Sequence, residues 1–103
     1  MDTVENYRQL IRKILAGHMQ VPYAQGDVQI EPVFDREDDL YLLVRVEREN
    51  GRRVYRCLAH IDIIRGKLRI QCDGTEGSLA NELVRAGVPK DDIIAVATGR
   101  SFL

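Results

Sequence analysis

The stretch Val54 to Asp73 places the strongest constraint on how this chain folds. It reads VYRCLAHIDIIRGKLRIQCD and contains the longest β-branched and apolar run in the sequence, Val54 to Ile63. Such a run, in which apolar residues alternate, is typical of a strand with two distinguishable faces, and the Arg65-Gly66 pair is typical of a chain reversal. The stretch therefore predicts two antiparallel strands, the first of them central in a sheet.

The dipeptide Asn50-Gly51 is the strongest hairpin signal in the chain, and it joins a predicted strand, Leu40 to Arg48, to this stretch. A two-residue loop there fixes one register, and a two-residue loop at Arg65-Gly66 fixes another. The two registers agree, because they place the same set of residues on one face, which we take as the core. This set is Leu40, Leu42, Val44, Val46, Tyr55, Cys57, Ala59, Ile61, Ile63, Leu68, Ile70 and Cys72.

The opposite face of the predicted sheet mixes apolar and charged side chains. The register places Arg45 opposite Arg56, and such a pair of like charges costs stability unless an acid lies between them. An apolar centre with a charged rim is more typical of an interface than of a solvated surface. We therefore predict a partner-binding surface of six residues, with coverage by a helix or the C-terminal segment of the same chain as the alternative. The six are Tyr41, Leu43, Arg45, Arg56, Leu58 and His60.

Helical patterns stand before and after the predicted strands. Asp2 to about His18 is amphipathic, and a second helix, with Ser78 or Thr75 as its cap, runs to about Ala86. Asp27 to Asp35 alternates but contains a proline, which predicts an edge strand. The sequence thus predicts one α+β domain, residues 1–103: an N-terminal helix, a four-stranded antiparallel meander, a second helix and a short C-terminal segment.

Composition narrows the functional classes. The net charge is −1 and the sequence pI is about 6.1, so the basic excess that is typical of phosphate-binding domains is absent. Acidic residues near the N-terminus argue against a signal peptide, and no stretch is long enough to span a membrane. We therefore expect a cytoplasmic protein. Cys57 and Cys72 are diagonal in the predicted register, about 7–8 Å apart, so we expect two buried free thiols.

The residues give little support to catalysis. His60 and Asp62 share a face, which is compatible with a metal or hydrolase site, but Asp62 already faces Arg69 and no nucleophile lies beside His60. The acidic turn from Asp35 to Asp39 lacks the spacing of a calcium loop. We therefore predict no cofactor and no metal. A further alternative is a DNA-binding factor with a local patch of arginines: Arg45, Arg52, Arg53, Arg56 and Arg69.

Four segments of the sequence together resemble the XisI-like family, the excision controlling factors of the fdxN element in cyanobacteria. They are YRQLIRKIL, VPYAQGDVQIEPVFD, DLYLLVRV and HIDIIRGKLRIQCDGTEGSLANELVRAGVPKDDI. The resemblance covers nearly the whole chain. It departs after PKDDI, where family members continue with a longer tail that contains a His-Pro-Pro stretch.

The resemblance implies a role in programmed, site-specific DNA excision, beside a recombinase and a companion factor. Family members are not recognised as enzymes, so no catalytic residue carries over to this chain. We therefore expect a non-catalytic accessory factor of DNA recombination that acts through protein–protein contacts. Its expected partners are a second copy of itself, as a homodimer, and the companion factor.

Overall fold

The computed structural model describes residues 3–20 and 26–96. In these residues the chain forms two α-helices, five strands and one short 3-10 helix, which confirms the predicted α+β architecture. Asp2, the predicted first helical residue, lies outside the described residues. The elements are α1 (Thr3–Ala16), β1 (Gln29–Asp35), β2 (Leu40–Glu49), β3 (Arg52–Ile64), β4 (Lys67–Asp73), α2 (Leu79–Arg85), the 3-10 helix (Lys90–Asp92) and β5 (Ile93–Ala95).

All five strands lie in one sheet, in the order β1-β2-β3-β4-β5. The first four form the predicted antiparallel meander, with β1 as an edge strand. The fifth strand was predicted only as a short C-terminal segment, and it pairs in parallel with β4 through Leu68 and Ile93. The sheet is therefore mixed, and β5 forms its second edge.

Both predicted chain reversals are confirmed. The backbone angle φ is 53° at Asn50 and 80° at Gly51, and it is 53° at Arg65 and 76° at Gly66. Positive φ at both central residues defines the type I′ turn, whose twist matches that of the strands it joins. Arg65 adopts this left-handed conformation at a cost of about 1 kcal/mol. The pairing of β3 with β4 therefore imposes the turn on an unfavourable residue.

A β-bulge between β2 and β3 interrupts the predicted register. The pairing follows the prediction from the turn as far as Val44 and Cys57. The next pair is Leu43 with Ala59, so Leu58 is an extra residue on β3. Beyond the extra residue, each side chain of β3 lies on the opposite face, relative to β2, from the one that a register without a bulge predicts.

A second bulge lies between β3 and β4. Ile61 pairs with Ile70 as predicted, but the neighbouring pair is His60 with Cys72, which makes Gln71 an extra residue on β4. Because of this bulge, Cys72 lies on the same face as His60 and opposite to that of Ile70.

The bulges make the predicted core face wrong for β2 and for the turn-proximal part of β3. Tyr41 and Leu43 join Ala59 and Ile61 beneath the helices, whereas the even-numbered residues of β2 face outwards. The prediction holds for the remainder of β3 and the start of β4. The core cluster is Tyr7, Ile11, Leu15, Ile30, Tyr41, Leu43, Leu58, Ala59, Ile61, Ile63, Leu68, Ile70, Leu79, Leu83 and Val88.

Both helices pack on this one face of the sheet and against each other. α1 buries Tyr7, Ile11 and Leu15, which lie four residues apart on one stripe, as an amphipathic helix requires. In α2, Leu79 and Leu83 have the same spacing. Neither helix in the described ranges is long and apolar enough to cross a membrane.

The chain segment between β4 and α2 holds the Leu58 bulge in place. The Gly74 N–H donates to the carbonyl oxygen of Leu58 at 2.7 Å, and a Cβ at position 74 would lie 3.1 Å from that oxygen. Asp73 accepts hydrogen bonds from the backbone N–H groups of Thr75 and Leu79 at 3.0 and 2.9 Å. The extra residue of β3 is thus tied to the start of α2.

An ion pair joins α1 to the turn between β1 and β2. Arg8 donates to both carboxylate oxygens of Asp39 at 2.7 and 3.1 Å, and the hydroxyl of Tyr41 donates to the same carboxylate at 3.1 Å. The hydrogen bonds from Arg8 hold the pKa of Asp39 below its usual value. This geometry fixes the helix above β2.

Truncation of a side chain should lower the free energy of unfolding by different amounts on the two faces of β2. We expect Leu43→Ala to lower the free energy of unfolding by about 2–5 kcal/mol, because Leu43 is fully buried in the core. Leu42→Ala, the same change one residue away, should cost clearly less, because Leu42 lies on the uncovered face. Chemical denaturation measures both values, and equal losses would contradict the bulged register.

The Asp39 carboxylate should contribute to stability in a pH-dependent way. A lowered pKa in the folded state means that the contribution is present above the usual carboxyl pKa and is lost as the pH falls through the lowered value. Asp39→Asn should therefore destabilise the protein at pH about 7, and its stability should converge on that of the wild type in acid. Thermal unfolding across this range tests the prediction, and a constant difference between the two proteins would refute it.

Candidate functional site

The face of the sheet opposite the helices is the candidate functional surface, which we call the outer face. Its central positions are the outward-facing residues of β2 and β3, which pair across the sheet. β1, the later part of β4 and β5 extend it on either side. The central residues are Leu40, Leu42, Val44, Val46 and Arg48 on β2, and Arg53, Tyr55, Cys57, His60 and Asp62 on β3.

The middle of the outer face is apolar and largely open to solvent. Tyr55 is 59% exposed and Val33, on β1, is 46% exposed. Leu42 and Val44 are partly exposed between them. Val46 is buried although it lies outside the core cluster on the helix side. An apolar strip of this kind, rimmed by charges, is characteristic of an interaction site.

One end of the outer face carries a partly buried ion pair. Arg69 donates to the two carboxylate oxygens of Asp62 at 3.0 and 2.9 Å, as the sequence predicted for these two residues. Burial is the largest single influence and acts to raise the pKa of Asp62, but the hydrogen bonds from Arg69 and Gln71 and the positive charge of Arg69 together outweigh it, and the pKa lies below its usual value. Asp62 is therefore a carboxylate that is already fully engaged.

His60 lies beside this ion pair and does not form a catalytic arrangement with it. Its Nε2 atom is 4.0 Å from Asp62 and has no hydrogen-bond partner among the described residues. Burial holds the pKa of His60 below its usual value, although the charge of Asp62 acts in the opposite direction. No group of three or more His, Cys, Asp or Glu side chains in residues 3–20 and 26–96 is placed to hold a metal ion.

The hairpin formed by the turn-proximal ends of β2 and β3 extends the sheet into an arm. On the helix-side face of this arm the predicted like-charge pair, Arg45 opposite Arg56, is confirmed. Acids lie next to it, as the sequence analysis required: Glu47 is 3.5 Å from Arg45 and Glu49 is 3.0 Å from Arg56. The cost of the like charges is thereby offset.

The structure separates the six residues predicted for the partner-binding surface. Tyr41, Leu43 and Leu58 are 1%, 0% and 4% exposed and belong to the core. The prediction that these three side chains are exposed is wrong. Because Leu58 is an extra residue in β3, Leu43 and Tyr41 pair with Ala59 and Ile61 and share their face, beneath the helices. Arg45 and Arg56 lie on the helix-side face of the arm, and of the six only His60 lies on the outer face.

Sequence reasoning missed the residues that form the outer face. It assigned Leu42, Val44, Tyr55 and Cys57 to the core, because a strict alternation across the Asn50-Gly51 turn requires that assignment. One signal was present: Cys57, Leu58 and Ala59 are three consecutive apolar residues, which a strict alternation does not allow for, and the last two are both buried. Adjacent buried residues of this kind mark a bulge.

The two cysteines were predicted to be free and buried. Both are free, but Cys57 is exposed and Cys72 is half-buried, so the predicted burial is wrong. The bulges place both residues on the outer face, and the Cys72 thiol donates to the carbonyl oxygen of Cys57 at 3.5 Å.

Comparisons with known proteins agree on one family. A family model described as XisI protein matches residues 1–99. The crystal structure of a XisI-like protein from Anabaena variabilis is 33% identical, with a TM-score of 0.79, and the match covers 90% of this chain and 84% of the other. That of the fdxN element excision controlling factor XisI from the same species is 27% identical, with a TM-score of 0.75 and 90% coverage of both chains. No curated protein matches. This chain belongs to the XisI family.

Proposed function

We propose that this protein is a non-catalytic accessory factor that controls site-specific DNA excision by binding other proteins through its outer face. The family relationship supports the excision context, because a relative of 27% identity is named as the excision controlling factor of the fdxN element. The proposed partners are a second copy of the chain and a companion excision factor.

The apolar strip of the outer face is the observation that carries this proposal. The sheet buries one face beneath α1 and α2, and in residues 3–20 and 26–96 no helix packs on the other. Solvent-exposed Tyr55 lies in this strip, opposite Val46, with Arg53 over the ring, the guanidinium carbon 6.0 Å from the ring centroid. Tyrosine and arginine are the residue types that most often dominate the binding energy of protein interfaces.

The side-chain chemistry supports a non-catalytic role. A general acid or base needs a pKa near the working pH and a substrate-accessible position. Asp62 is engaged by Arg69, and no nucleophile is hydrogen-bonded to His60 in the described part of the chain.

Direct binding of DNA by the predicted arginine patch receives less support. Three of its five arginines already contact carboxylates: Arg45 contacts Glu47, Arg56 contacts Glu49 and Arg69 contacts Asp62. Phosphates would have to compete with these acids, and the net charge of the chain is −1. A protein partner that binds the apolar strip does not require these arginines to release their carboxylates.

Two outer-face substitutions test the proposal in Anabaena variabilis cells whose own XisI gene has been replaced by the gene for this chain. Val33→Asp or Tyr55→Asp should lower excision of the fdxN element at least about tenfold, because each places a charge in an apolar contact. Val84→Asp is the matched control: Val84 is 40% exposed on α2, away from the outer face. Excision is measured as the fraction of rearranged chromosomes.

Circular dichroism first establishes that all three variants fold. Normal excision with both outer-face variants, or equal loss with Val84→Asp, would overturn the assignment of the outer face. If the unmodified chain itself fails to support excision although it folds, the proposed role in excision is wrong.

A further inference from the structure

We propose that the outer face binds a second copy of this chain, face to face and with the strands antiparallel, so that the tip of one arm lies over the acidic base of the other sheet. The inference deepens the proposed function by naming one occupant of the surface that the proposal assigns. It is argued from the distribution of charge along the outer face.

The tip of the arm carries a like-charge pair without an acid. Arg48 lies directly opposite Arg53 on the outer face. In the described residues neither makes an ion pair, and the guanidinium group of Arg53 lies over the ring of Tyr55. The corresponding pair on the other face, Arg45 and Arg56, has two acids beside it. The same hairpin thus neutralises one arginine pair internally and leaves the other to an external acid.

The opposite end of the outer face is acidic. Asp35 pairs with Leu40 at the end of β1, and its Oδ1 atom accepts hydrogen bonds from the backbone N–H groups of Glu37 and Asp38 at 3.0 and 3.2 Å. The second oxygen of Asp35 makes no hydrogen bond within the described ranges. Glu37 and Asp38 are exposed in the adjoining turn, so an open carboxylate group lies at this end.

The two ends are equally far from the middle of the strip. Arg48 and Leu40 each lie four residues from Val44, a separation of about 13–14 Å along a strand. The proposed two-fold axis runs across the strands at Val44, midway between two stacked outer faces. Rotation about this axis therefore places Arg48 of each copy over the row of the other copy that holds Asp35. The outer face is complementary to itself in this orientation.

Charge selects this orientation over the alternative. A two-fold axis along the strands would stack arm tip on arm tip and bring four arginines together, which carries a large electrostatic cost. In the antiparallel arrangement, Tyr55 lies over the row of Val33, Leu42 and His60, so mainly apolar groups meet in the middle. Like charges approach at two places. Glu31 on the edge strand lies in the central row and approaches its own copy, and Arg53 approaches the row that holds Arg69, whose charge Asp62 balances.

The size of the surface sets the expected affinity. The outward-facing rows span about 27 Å along β2 but on average only about three strands, or about 14 Å, across it, because β4 pairs only with Ala59 to Ile64 and does not reach the arm. Both copies together bury about 800 Å², below the usual range of specific interfaces, which corresponds to a weak, transient dimer with a Kd on the order of 100 μM.

Charge reversal followed by mixing tests the arrangement. By sedimentation equilibrium, Arg48→Glu/Arg53→Glu and, separately, Asp35→Lys should each raise the dimer Kd at least about tenfold. An equimolar mixture of the two should dimerise again, because a heterodimer has one native contact and one reversed contact. Arg45→Glu/Arg56→Glu reverses the same charge on the other face of the arm and serves as the control, with the Kd unchanged.

Two further variants keep the test decisive if Asp35→Lys does not fold. Asp35→Asn preserves an acceptor for the turn and should weaken the dimer less. Asp35→Cys/Arg48→Cys, with Cys57→Ser and Cys72→Ser, should give a cross-linked dimer with a bismaleimide reagent about 10 Å long, because stacked sheets lie about 10 Å apart, whereas each single-cysteine version should not. The two positions lie about 27 Å apart within one chain, which excludes an internal link. Glu31→Gln should tighten the dimer.

The outcomes separate this inference from the proposed function. A monomer at concentrations of several hundred micromolar, or a mixture that does not restore the dimer, overturns the inference. If outer-face variants still abolish excision in that case, the proposed function stands with a different partner. If the dimer behaves as described while excision is unaffected by Val33→Asp and Tyr55→Asp, the inference stands and the proposed function fails.

Discussion

The hydrogen bond from the Gly74 N–H to the Leu58 carbonyl fixes the arrangement on which the remaining structure depends. It holds an extra residue in β3, and that residue decides which side of β2 faces the helices. Without the bulge, Tyr41 and Leu43 would point away from α1 and the apolar even-numbered residues of β2 would point towards it. The core and the outer face are thus defined together by one backbone contact at the start of α2.

Much of the fold was predictable from local patterns. The helices, the hairpin turns and the edge position of the proline-containing strand follow from periodicity and turn chemistry, which act over a few residues. The bulges were not predictable in the same way, because the first of them depends on Gly74, which follows β4 and donates a hydrogen bond back to β3. When the register is inferred from the two turns alone, the predicted pairing is wrong by one residue at every position beyond the bulge.

The candidate site was affected by that error more than the fold was. A one-residue shift leaves the order of the strands unchanged but exchanges their faces. The sequence placed Arg45, Arg56 and His60 outside the core, where the structure also has them, but it put all three on one face, whereas the two arginines lie on the opposite face from His60. It placed Tyr41, Leu43 and Leu58 with them because the two faces of β2 carry similar numbers of apolar residues, so that composition alone does not distinguish them.

The arginines of the arm illustrate how one hairpin can serve stability and recognition separately. On one face, Glu47 and Glu49 balance Arg45 and Arg56, so that charge there is satisfied within the chain. On the other face, Arg48 and Arg53 are left to solvent beside an exposed aromatic ring. The alternation of a strand places these two roles on adjacent residues without interference between them.

The bulge also divides the sheet into two parts that are free to change independently. Between the Asn50-Gly51 turn and Leu58, insertion or removal of paired residues lengthens or shortens the arm and leaves the positions beneath the helices untouched. Related chains could therefore acquire arms of different reach and charge on an unchanged core. Diversity in what such proteins contact would then accumulate at the tip of the hairpin, while the helix-covered half of the domain stays constant.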